Sequence, residues 1–264
     1  MRLRNFGIQF RFVPLAVLII FLLASVSCQW AQRGRDLPVP DPANFQVIQT
    51  NDHVTATRSL TLTFIKGRAH NHPLMAVWIE DTAGNYLQTL YVAESIAKGV
   101  FRHGDHTTGR WMPGLLRRPA ALPYWGHQRG IKAEDGLFVP HPNDPMPDAL
   151  TGPTPKSHFV LKTILKPEIT PPFRVLFEIN QSWDWNHYWT NNKFPGDEDY
   201  MTSSQPAVVY EALLTSWELE NGIPMQPIGH SHWSGKTGEI YPDLSTLSTA
   251  LEIAAQISVR ITED

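Results

Sequence analysis

The chain reads as all-β, an antiparallel β-sandwich with a long irregular insert. Three observations predict it. Apolar residues alternate with period two in segment after segment. Gly, Asp and Pro punctuate those segments as turn chemistry does. Seven or eight strand patterns stand beside little helical periodicity.

Before the strands comes a targeting segment. Arg2, Arg4 and Arg11 form a basic start, Val13–Ala24 is apolar, and Ser25 and Ser27 follow. This is the order of a secretory signal peptide over residues 1–27. The apolar run is short for a membrane span, which takes roughly 20 residues. Cys28, the single cysteine of the 264 residues, ends a Leu-Ala-Ser-Val-Ser-Cys run that resembles a lipobox, so Cys28 is the expected lipidation site. Residues 28–43, rich in proline and charge, read as a tether. Residues 44–264 form one domain, interrupted by the insert at about 94–156.

Strands are expected at Thr55–Lys66, where Leu60, Leu62 and Phe64 share a face, and at Leu74–Glu80, an unbroken apolar run. Asp81-Thr-Ala-Gly84 joins the latter to Tyr86–Val92 as a β-hairpin. A helical turn is expected at Ala93–Val100. Further strands are expected at Ser157–Leu165, Phe173–Gln181, Pro206–Thr215, Pro227–Trp233 and Glu252–Thr262, the last with a first half open to helix.

The hairpin segment Ala76-Val-Trp-Ile-Glu-Asp-Thr-Ala-Gly84-Asn-Tyr-Leu-Gln-Thr-Leu90 resembles the opening motif of the bacterial "domain of unknown function 2271" family of periplasmic proteins. Asp148-Ala-Leu-Thr-Gly-Pro-Thr154 resembles its second motif, and Glu178 with Trp183-Asp184 resembles a later part. The resemblance covers roughly residues 58–215. It implies a secreted, immunoglobulin-like sandwich and no established reaction. The long insert and the Gly229–Gly235 segment depart from the pattern.

Composition excludes several classes. The net charge is −3, and removing residues 1–27 leaves 19 of the 22 basic residues against 25 acidic ones, a net of −6. That disfavours nucleic acid and anionic membrane surfaces as partners. No Gly-x-Ser-x-Gly elbow, phosphate loop or dinucleotide fingerprint occurs. The carboxylates Glu178, Asp184, Asp197, Glu198 and Asp199 invite a glycosidase reading, with 197–199 more simply a solvated loop. The balance is against an enzyme.

Two constellations remain. Trp183, Asp184, Trp185, Asn186, His187 and Trp189 interleave aromatic faces with polar groups, as a site for a sugar or another small polar ligand would; the competing reading is an aromatic minicore capping one end of the sandwich. His70, His72, His230 and His232 form two His-x-His pairs that could hold a divalent metal if each pair lay on a strand, with His103, His106, His127 and His187 as further donors. The expected protein is an exported binding or accessory module, periplasmic or on the outer surface. It meets the membrane through its signal segment or lipid anchor and takes a small polar ligand or an envelope protein as partner. The alternative is a metal-binding protein or metal-dependent enzyme.

Overall fold

A computed structural model describes residues 40–52, 58–105, 107–110, 112–217 and 222–263. The signal segment, Cys28, most of the tether, His106 and Trp111 lie outside the described residues.

Thirteen strands are described: β1 Gln46–Thr50, β2 Arg58–Lys66, β3 Leu74–Asp81, β4 Tyr86–Ala93, β5 Val100–Asp105, β6 Met112–Leu115, β7 Thr151–Gly152, β8 Phe159–Ile164, β9 Phe173–Asn180, β10 Val208–Leu214, β11 Ile223–Pro224, β12 Gln226–His230 and β13 Ala254–Glu263. Three short helices are α1 Glu94–Lys98, α2 Pro123–Arg129 and α3 Glu198–Ser203. The strands build a five-stranded sheet, β1-β8-β2-β13-β11, and a six-stranded sheet, β12-β10-β9-β3-β4-β7. The β-sandwich is therefore present. It is mixed rather than wholly antiparallel, because β1 joins β8 and β7 joins β4 in parallel. Both parallel pairs recruit short segments distant in sequence, which no local periodicity announces.

Leu60, Leu62 and Phe64 of β2 are fully buried on the face toward the second sheet, with Phe159, Leu161, Ile257 and Val259 beside them. Met75, Val77 and Ile79 of β3 and Val175, Phe177 and Ile179 of β9 meet them from the other side. Phe64 stacks on Phe159 at 4.8 Å within its sheet and on Phe177 at 5.8 Å across the core. Each such side chain contributes about 1.5–3 kcal/mol by leaving water.

The expected hairpin is β3–β4. Asp81 Oδ1 accepts the amides of Ala83 (2.9 Å) and Asn85 (2.8 Å), and Gly84 takes a φ of 91°. The unbroken apolar run of β3 has a cause that periodicity alone does not supply: the six-stranded sheet is covered on both faces. Leu74, Ala76, Trp78, Leu176 and Val209 point away from the first core and are roofed by Ala121, Leu122, Tyr124, Trp125, Val139 and Met146 of the insert. The insert is thus a third layer, with two short helices and a β5–β6 hairpin set in otherwise irregular chain. Its end folds back so that the second motif segment pairs with the end of β4, just past the first motif, Val92 opposite Thr151 and Ala93 opposite Gly152.

Candidate functional site

The segment joining β9 to β10 covers one end of the sandwich. It is held by an amide that sequence reading passes over. Gln205 is buried, and its Nε2 donates to the Asp184 carbonyl (3.0 Å) and to Thr249 Oγ1 (2.7 Å). Its Oε1 accepts from Asn186 Nδ2 (3.0 Å) and Ser248 N (2.8 Å), and its carbonyl accepts from Asn180 Nδ2 (2.9 Å). One side chain therefore ties the Trp-rich loop to Ser248 and Thr249. Asn186 turns the loop by accepting the amides of Tyr188 (2.9 Å) and Trp189 (2.7 Å) on its Oδ1. Asp184 Oδ1 accepts from Thr249 Oγ1 (2.5 Å), and burial pushes its carboxyl above the usual range.

The six expected ligand-binding residues part company here. Trp189 is 4% exposed, donates to Thr246 Oγ1 (3.2 Å) and packs against Tyr200, His230 and Trp233. Trp185 is half-buried against Tyr200. Asp184 and Asn186 bond the loop itself. These four serve the minicore. Trp183 and His187 face solvent, and Trp183 is 57% exposed. Trp183 also holds a left-handed backbone, φ 64°, which for a bulky residue costs about 1–2 kcal/mol.

The four expected metal ligands stay apart. His70 and His72 lie in the turn between β2 and β3, with His72 at φ 53°, so the rule that alternate strand residues share a face does not reach them. His230 ends β12, and His232 lies beyond the strand, where its carbonyl accepts the Gly235 amide (3.2 Å) as the chain turns. Met75, Ile179, Val208 and His230 fall on one row across β3, β9, β10 and β12. Three spacings of about 4.8 Å put roughly 14 Å between the strand that follows the His70–His72 turn and β12. Donors to one ion lie within about 4 Å of one another. Among the described residues, no group of three or more His, Cys, Asp or Glu side chains is placed to hold a metal ion.

His230 and His232 pack instead. His230 Nδ1 donates to the Ser231 carbonyl (2.8 Å) and its ring stacks on Tyr241 at 5.4 Å. His232 Nδ1 accepts the Ser234 amide (3.1 Å) and its ring stacks on Trp233 at 4.2 Å. Burial holds both imidazoles below their ordinary pKa. The glycines beside them admit close backbone. A Cβ at Gly229 would lie 2.7 Å from the Tyr241 carbonyl, and one at Gly235 would lie 2.2 Å from that of Pro119.

Among the carboxylates, Asp197 is no solvated loop residue. It caps α3 by accepting the Tyr200 amide (3.0 Å). Glu178 is fully buried on the outer face of β9, where it accepts the Tyr124 (3.2 Å) and Trp125 (2.8 Å) amides. A sheet residue thereby caps the start of α2, whose own Leu122 makes no side-chain cap. Glu178 enters no ion pair among the described residues, and burial pushes its carboxyl up to about 7. Glu80, also fully buried, accepts Trp78 Nε1 (2.8 Å) and pairs with Arg174, which also binds Glu211 (2.8 Å). These bonds tie the six-stranded sheet to the insert above it and to its own neighbouring strands.

What reaches solvent at this end is Trp183, His187, Tyr188 and the rim of an open depression lined by Lys193–Asp199 and Lys236. Such a surface can stack and hydrogen-bond a flat polar molecule. Comparison with known proteins finds no matching family profile, no matching curated protein and no matching solved structure.

Proposed function

We propose that the chain is an exported, lipid-tethered or released β-sandwich acting as a non-catalytic binding or accessory module of the cell envelope, with the exposed part of the 183–194 loop as its contact surface. The observation that carries this reading is Trp183. A large aromatic held in solvent gains nothing from burial to offset its left-handed backbone, and such strain clusters at functional sites. The rigid frame beneath it, Trp189 and the Gln205 amide, suits recognition of a sugar ring or similar small polar ligand.

Export and lipidation are supported by the basic start, the apolar run and Cys28. No helix among the described residues is long and apolar enough to cross a membrane. The proposed kinship with the periplasmic family is supported by its second motif pairing along β4, the strand in which the first motif ends, and the immunoglobulin-like comparison by the two-sheet packing.

The test is titration calorimetry of the mature protein against soluble envelope polysaccharides, repeated with Trp183→Gly. Saturable heat that disappears in a variant melting no lower than the parent is expected. Binding unchanged by Trp183→Gly would end the assignment of this surface. Incorporation of labelled palmitate, lost in Cys28→Ser, tests the anchor.

A further inference from the structure

We propose that Tyr188, Trp189 and Phe194 form an aromatic corner that binds a quaternary ammonium group and that Lys193 occupies in its absence. The Lys193 ammonium lies 3.4 Å from the centre of the Tyr188 ring, 5.2 Å from that of Trp189 and 6.0 Å from that of Phe194, all within cation–π range. Its own loop puts it there. The Lys193 amide donates to the Thr190 carbonyl (3.1 Å), closing a turn that returns the side chain over the rings.

The choice of partner is informative. Asp197, Glu198 and Asp199 line the same open depression of about 690 Å³, yet Lys193 makes no ion pair among the described residues; Lys236 takes Asp197 at 3.2 Å. The walls are fixed before any ligand arrives. Tyr188 meets Trp189 edge-on at 5.2 Å and 73°, while Phe194 stacks on Trp233 at 5.1 Å and 7°. Trp189 is further pinned by its bond to Thr246. Lys193 and Phe194 both line the depression, so the corner opens onto solvent when the lysine swings away.

A primary ammonium is strongly hydrated and leaves water reluctantly. A trimethylammonium group is weakly hydrated and covers three ring faces at once, which is the chemistry that aromatic cages recognise. The acidic rim favours a cation over an anion. The ligand class is therefore a small quaternary ammonium compound, with choline as the simplest probe. The corner lies in the same 183–194 loop and rests on the reading of that loop as a contact surface, but Trp183 takes no part in it, so Trp183→Gly tells the two apart.

The experiment is calorimetric titration of the mature protein with choline chloride, with sodium chloride at equal ionic strength as the blank. Removing the resident cation in Lys193→Ala is expected to tighten choline binding about tenfold over the parent. Tyr188→Ala in that background is expected to abolish it, and Trp183→Gly to leave it unchanged. Saturation-transfer NMR should show the choline methyl protons receiving magnetisation from ring protons. No saturable heat in Lys193→Ala, with its melting intact, would overturn the proposal. Equal affinity with and without Tyr188 would do the same. Should Lys193→Ala fold poorly, Lys193→Gln is expected to give the same gain, and its absence there counts equally against the corner.

Discussion

Glu178 makes stability depend on pH in a way that can be worked out. Its carboxyl is buried against the Tyr124 and Trp125 amides and is pushed from 4.5 up to about 7. Between those values the native chain keeps a proton that the unfolded chain has lost. Stability from this group is therefore complete below 4.5 and falls as pH rises toward about 7, then levels once both states are ionised. At about 1.4 kcal/mol per unit, the window spans about 3 kcal/mol, most of it between about pH 5 and pH 8. Glu178→Gln removes the titration while leaving a carbonyl to accept one amide. The assay is urea unfolding of parent and variant at both pH values. Subtracting the variant's pH response from the parent's isolates Glu178 from the other titrating groups. A parent that loses about 2–3 kcal/mol more than the variant on going to the higher pH is expected. Equal losses, or a larger loss in the variant, would refute the buried carboxylate cap.

On the acid side the sign reverses. His230 and His232 have lowered pKa values, so stability from them is present above 6.5 and is lost as pH falls below it, where unfolded imidazoles take protons the native ones refuse; replacing both with Gln should shallow the acid limb of the stability profile. Trp189→Ala empties a site in the main core and should cost about 3–5 kcal/mol in chemical unfolding, whereas Trp183→Gly, relieving a left-handed tryptophan, should leave the melting temperature equal or higher. Gln205→Leu takes the Oε1 acceptor from the Ser248 amide and the Nε2 donor from the Asp184 carbonyl and Thr249 Oγ1, and should destabilise by about 2–4 kcal/mol in the same assay.

The strands that form the sandwich were readable wherever one face is wet. Phe159 and Leu161 of β8 alternate with the exposed Lys162, and Leu60, Leu62 and Phe64 of β2 alternate with Thr61 and Thr63 because only the apolar set faces the second sheet. The β3–β4 turn was readable because Asp81 bonds its own loop. Burial on both faces hides its cause: the run through Met75 and Trp78 shows that both sides are covered, without naming the insert as the second cover. The β1–β8 and β4–β7 pairings were illegible because parallel neighbours need not be near in sequence. At the candidate site, the aromatic density of 183–189 was plain, while its division into a buried Trp189 and an exposed Trp183 depends on Gln205, which contacts the loop only in the folded chain. The histidine pairs misled because His-x-His spacing has its meaning only on a strand, and neither pair lies wholly on one.

The cap that Glu178 places on α2 also orders events in time. The helix leaves the ribosome some fifty residues before its cap does (53 between Trp125 and Glu178). A seven-residue helix is too short to persist alone in water. The insert therefore has to wait, with Trp125 and Leu122 unhoused, until β9 pairs with β3 and brings the carboxylate into place. Long-range pairing of this kind is slow. During that interval the apolar residues of the insert are exposed, so the yield of folded protein should be set by how quickly β9 arrives rather than by the stability of the finished fold.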